Sequence, residues 1–136
     1  MPSISRPLAG PILTFDIAEQ VAELRTEESY DRSGRAGRTL AKSGRLRITL
    51  VAMQRDNVIS THRADSPITL QVLEGGIRFR ADGGDHQMKA GQLLFFGPGD
   101  ANDIRAMEET VLLLTISAVG DDFLIDRTDE GGTPSI

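Results

Sequence analysis

From Leu46 to Ala118 the chain reads as eight short runs: LRITLVAM, NVISTH, PITLQVL, GIRFRA, DHQMK, QLLFF, DIRAM and TVLLLTISA. Turn signals such as RDN, EGG, DGGD and GPGD separate them. Runs rich in β-branched and aliphatic residues, cut by Gly, Asp, Asn and Pro, are strands joined by tight turns. No helical periodicity stands between them, so a parallel sheet of βαβ units is excluded and a sandwich or barrel remains. LRITLVAM and TVLLLTISA are apolar on both faces. A strand buried on both sides needs cover beyond the barrel interior, from an N-terminal helix or from a second subunit.

The flanking segments differ in kind. Residues 1–14 form an extended lead, since Pro2, Pro7, Gly10 and Pro11 deny them a helix interior. Asp16 and Glu19 have capping-box spacing, and Ile17, Val21 and Leu24 recur at i, i+4 and i+7. This spacing predicts a short helix over about 16–28 with one apolar stripe. Residues 29–45 are rich in Gly, Ser and Arg and read as a solvated connection, in which only RTLA could pair as a strand. The division expected is an N-terminal extension over 1–45, a barrel over 46–118, and a tail over 119–136 that loses periodicity and is expected to be mobile.

A chain of 136 residues is one domain by size. A net charge of -5 without any basic run argues against nucleic acid and anionic membrane as partners. Cysteine is absent, so disulfides, thiolate chemistry and sulfur-ligated metal sites are excluded, and any metal must use His, Asp or Glu. No segment reaches the roughly 18 apolar residues of a membrane span, and the start of the chain lacks an unbroken apolar stretch of signal-peptide length. The expectation is a cytoplasmic protein.

The strand region resembles a small single-domain cupin, an all-β double-stranded β-helix or jelly-roll barrel that often holds a metal. The first cupin motif, G-x5-H-x-H-x3-E-x6-G, places its histidines on His62 and Ala64, its glutamate on Ile68 and its closing glycine on Gly75. The second, G-x5-P-x-G-x2-H-x3-N, starts at Gly91, puts its proline at Gly97 beside Pro98, keeps Gly99, and sets its histidine on Asn102 and its asparagine on Ala106. The glycines serve the fold. Of the ligand set the resemblance implies, His62 alone survives, because Ala64 and Ile68 offer no donor atom.

His62 therefore has three readings: a pocket-lining histidine, a ligand-recognition residue, or a metal ligand. The pocket expected around it is His62, Ala64, Ile68, Leu70 and Asn102, mostly apolar with two polar handles. Arg78 and Arg80 alternate with Ile77 and Phe79, which puts both arginines on one face, either solvated or a rim for a carboxylate or phosphate. His86 falls in a polar turn and reads as exposed. The function expected is binding or sensing of a small molecule in the barrel, with no cofactor and at most a divalent metal held weakly. The alternatives are a metal-dependent enzyme of oxygenase, isomerase or lyase type, and a structural dimer module. A homodimer is the expected assembly, on the double-faced apolar strands.

Overall fold

Asp16 starts the first helix: its Oδ1 accepts a hydrogen bond from the Glu19 amide at 3.1 Å, the N-cap contact that the Asp16 and Glu19 spacing predicts. Helix α1 covers Ile17–Arg25. It stops short of residue 28 because the Thr26 and Glu27 amides donate to the Glu23 and Leu24 carbonyls, both at 3.1 Å, a tightened three-residue closure. One more helical segment, α2 (Glu28–Ser33), ends at Gly34, whose φ of 86° is the left-handed C-cap that glycine adopts without strain. In this computed structural model the described residues are 8–61, 66–81, 83–97, 99 and 101–117, with Thr61 described by its backbone alone.

Nine strands follow among the described residues: β1 Arg35–Ser43, β2 Leu46–Met53, β3 Val58–Thr61, β4 Ile68–Glu74, β5 Gly76–Ala81, β6 Gly84–Lys89, β7 Leu93–Phe96, β8 Asn102–Ala106 and β9 Thr110–Ser117. They build a five-stranded sheet in the order β1-β2-β9-β4-β7 and a four-stranded sheet in the order β3-β8-β5-β6. The pairings between neighbours are antiparallel. The eight runs expected from Leu46 onward are β2 to β9, and the fold is an all-β jelly roll with a helical cover.

The connection expected over 29–45 is instead α2 and the nine-residue strand β1. The strand contains the RTLA stretch read as able to pair, and extends on both sides of it because β1 is held by its ladder to β2, from Arg35 opposite Met53 to Ser43 opposite Leu46, burying Ala36 and Leu40 as its apolar contribution. The tail over 119–136 and residues 1–7 lie outside the described residues.

Two apolar layers meet on the five-stranded sheet. Between the sheets pack Val51, Met53, Ile68, Leu70, Val72, Leu112, Leu114 and Ile116 from one side, and Ile59, Ile77, Phe79, Ile104 and Ala106 from the other. On the outer face, Val21, Leu24 and Tyr30 of the helical segment cover Ala36, Leu40, Leu50, Ala52 and Val111. The cover that β2 and β9 require is therefore supplied within the chain by α1 and α2. Arg38 of β1 pins this layer: it donates to Gln20 at 2.8 Å, to Glu23 at 2.6 Å and to Glu27 at 3.0 Å. Among the described residues no helix is long and apolar enough to cross a membrane.

Candidate functional site

Parity along β2 decides what faces the barrel interior. Leu50 and Ala52 belong to the layer under the helices, whereas Val51 and Met53 belong to the layer between the sheets. Side chains alternate along a strand, so Arg47 and Thr49 share the inner face with Val51 and Met53. The register agrees, setting Arg47 opposite Ile116 and Thr49 opposite Leu114, both inner residues of β9.

On the facing sheet, Asn102, Ile104 and Ala106 of β8 are buried in alternation with Asp103 and Arg105. Asn102 pairs with Thr61 of β3 and with Ala81 of β5. These pairings define one end of the barrel, where β2 begins, β3 ends, β4 begins at Ile68 and β8 begins. At this end Asn102 is 5% exposed and Ser66 is also buried. The Oδ1 of Asn102 and the Oγ1 of Thr49 are buried without a hydrogen-bond partner. Leaving such an atom unsatisfied costs about 1–3 kcal/mol, so each is an atom that a water or a ligand group would satisfy; the Arg25 Nε and the Tyr30 hydroxyl under the helices are in the same condition. The walls around them are apolar: Ile68, Leu70, Leu114, Ile116 and the Phe79 and Phe96 rings, whose centroids lie 5.0 Å apart and join the two sheets.

Of the pocket residues read from the sequence, Ile68, Leu70 and Asn102 fall on the inner faces of the two sheets; His62 and Ala64 lie outside the described residues. The polar pair Arg47 and Thr49 escaped the sequence reading, which took LRITLVAM as apolar on both faces. The signal was present in parity: Arg and Thr occupy the same alternating positions as Val51 and Met53.

Three positions of the cupin motif frame do the same backbone work in this chain. Asp56, where the first motif begins with glycine, holds a φ of 70°, and Gly75 and Gly91 hold φ of 85° and 92°. Aspartate tolerates this left-handed region better than most residues. The ligand positions behave differently. Ile68, at the motif glutamate, is 5% exposed and packed in the inner layer. Among the described residues no group of three or more His, Asp or Glu could hold a metal. Among the described residues at this end, the oxygens of Asn102, Thr49 and Ser66 do not make up the imidazole and carboxylate set that divalent transition metals require. His86 is exposed on β6, its ring 6.4 Å from that of Phe79.

Arg78 and Arg80 point away from this site. They alternate with the buried Ile77 and Phe79 and so stand on the outer face of the four-stranded sheet. Arg80 Nε donates to Asp85 at 3.1 Å, and this contact raises its pKa above the ordinary arginine value. Arg78 stands directly opposite Arg105.

Neither a protein-family profile nor a curated protein matches the chain. Solved structures do match. A conserved protein of unknown function from Streptococcus pyogenes superposes with a TM-score of 0.65 at 18% identity, over 83% of this chain and 93% of that one. A cupin superfamily protein from Desulfitobacterium hafniense gives 0.60 at 15% identity, over 62% and 78%. The cupin domain of an XRE family transcriptional regulator from Enterobacter cloacae gives 0.57 at 10% identity, over 63% and 98%. The chain has the fold of a small cupin domain.

Proposed function

We propose that this cupin-fold chain binds a small molecule at the polar end of its barrel, between β2 and β8, and does so without a catalytic metal. The observation that carries the reading is the pair of buried, unpartnered oxygens of Asn102 and Thr49 on inner faces that also carry the apolar Ile68, Leu70, Leu114 and Ile116. Apolar cavities with a few convergent polar groups are the usual form of small-molecule sites, and a ligand group that hydrogen-bonds to these oxygens offsets the cost of burying them.

The test is a titration of the isotopically labelled chain with a general fragment set, followed by backbone amide signals. Shifts are expected to gather on Thr49, Ile68, Leu70 and Asn102, and to vanish in Asn102→Leu. Absence of any fragment that shifts these residues overturns the reading. The metal-dependent oxygenase, isomerase or lyase remains the rival, and stoichiometric metal surviving dialysis of purified protein makes it the leading one.

We also infer a homodimer. Leu93 and Phe95 alternate with the inner Leu94 and Phe96 on the edge strand β7, and stand 63% and 67% exposed on the outer face of the five-stranded sheet. The same face carries a groove of about 330 Å³ between α1 and β4, walled by Ile17, Val21, Leu73 and Val111. An apolar strip beside an open groove on an edge strand is the kind of surface that a second copy covers.

A further inference from the structure

We infer that two copies of this chain join through the free edge of β7, Leu93 of each pairing along the backbone with Phe95 of the other, so that their five-stranded sheets become continuous. The inference rests on the homodimer reading and gives it an edge and a register.

Hydrogen bonds on the two sides of β4 decide which backbone groups of β7 are free. The Ser117 amide donates to the Pro67 carbonyl at 3.2 Å, and the Val72 amide donates to the Gln92 carbonyl at 3.0 Å. Along a strand, successive residues direct their N–H and C=O groups to opposite neighbours. Odd-numbered residues of β4 therefore bond to β9 and even-numbered ones to β7. Leu70 stands opposite Leu94 and Ile68 opposite Phe96, so Leu94 and Phe96 turn their amides and carbonyls to β4. Leu93 and Phe95, opposite Gln71 and Thr69, turn theirs away from it. Because β7 is the last strand of its sheet, these amides and carbonyls meet no further strand among the described residues, and such a row is a template for another strand.

The other sheet edges are guarded. On β1 the Lys42 amide donates to the Leu8 carbonyl at 2.8 Å. On β3 the Val58 carbonyl accepts from Arg35 at 3.3 Å, and β6 carries Asp85 and Lys89. Strand β7 reads LLFF, without charge or proline, and its outward side chains, Leu93 and Phe95, are 63% and 67% exposed. A second copy of the same edge fits it. Around a two-fold axis at Leu94, antiparallel pairing sets Leu93 opposite the partner's Phe95, and Phe95 opposite the partner's Leu93. Every free amide and carbonyl of both strands then bonds. No other two-fold register keeps all of these bonds within the two strands. On the outer face each exposed apolar side chain is covered by an apolar one across the junction.

The chain has no cysteine, so one introduced thiol reports only on its own symmetry mate. In this register Leu94 faces the partner's Leu94 at about 4.5 Å between Cα atoms, within disulfide reach, whereas two copies of Leu93, or of Phe95, lie diagonally about 7–8 Å apart, beyond it. Under mild oxidation Leu94→Cys is expected to run as a covalent dimer on a denaturing gel, and Leu93→Cys and Phe95→Cys as monomers. Thermal melting checks that each variant folds. Amide exchange of the parent needs no variant: the Leu93 and Phe95 amides are expected to exchange at least about tenfold more slowly in concentrated than in dilute solution, while the Leu94 amide, already bonded to β4, does not change. A dimer that crosslinks through Leu93→Cys or Phe95→Cys and not through Leu94→Cys, or whose Leu93 and Phe95 amides gain no protection, overturns the edge pairing and leaves the homodimer standing. A parent mass of 14.7 kDa at micromolar concentration overturns both.

Discussion

A Cβ built on Gly75 comes to 2.6 Å from the Thr110 hydroxyl oxygen. Thr110 cannot give way, since it is fully buried and its Oγ1 accepts from the Gly76 amide at 3.2 Å and faces the Gly76 carbonyl at 3.0 Å. With a φ of 85° at Gly75, a side chain there is strained by its backbone and blocked by a neighbour. Gly75→Ala is expected to cost more than about 2 kcal/mol in denaturant unfolding, whereas Gly44→Ala, where nothing lies within 4 Å of the added Cβ, is expected to cost only the strain of its own positive φ. Equal losses at the two sites would show that the contacts with Thr110 and with the Glu109 carbonyl are unimportant.

Leu24 is 0% exposed and belongs to the layer formed with Leu50 and Val111. Leu24→Ala is expected to destabilise the chain by about 2–4 kcal/mol, the usual cost of emptying a buried leucine site. Leu93→Ala, at a 63% exposed position, is expected to fall within about 0.5 kcal/mol for the isolated chain. Melting curves that do not distinguish the two would mean that α1 is not packed on the sheet.

The metal question has a direct measurement. The purified parent is expected to hold far less than one divalent metal per chain by elemental analysis. Ala64→His, Ile68→Glu and Asn102→His together would restore, beside His62, the donor set of the cupin motif. Ile68 is buried among apolar side chains, so its glutamate is expected to destabilise the metal-free variant by several kcal/mol. Nickel or zinc should then raise the variant's melting temperature and leave the parent's nearly unchanged, because binding to the native state alone adds stability. A parent whose melting temperature rises as much as the variant's refutes the proposed loss of the site.

Light scattering decides the assembly. At micromolar concentration the expected mass is twice the 14.7 kDa of the chain, and Phe95→Asp with Leu93→Asp is expected to return the monomer by placing charge on the exposed apolar strip. A parent mass of 14.7 kDa removes the dimer.

The strands from Leu46 onward, their turns and the helix at Asp16 were legible in the sequence because the forces that make them are local. Alternation, glycine at positive φ and an aspartate cap act within a few residues. Strand β1 was legible only at RTLA, since the rest of RAGRTLAKS carries little hydrophobic pattern and is a strand chiefly through its ladder to β2. The pocket was legible in part: Ile68, Leu70 and Asn102 followed from the cupin spacing, while Arg47 and Thr49 did not. A strand with apolar residues on both faces does not say which face is the interior. That choice was made by α1 and α2, which cover Leu50 and Ala52 and thereby turn Arg47 and Thr49 toward Asn102's side of the barrel. Local sequence determined which segments are strands and where the chain turns. The packing of distant layers decided which polar side chains are enclosed, because burial belongs to a face and a face is assigned only when something lies against it.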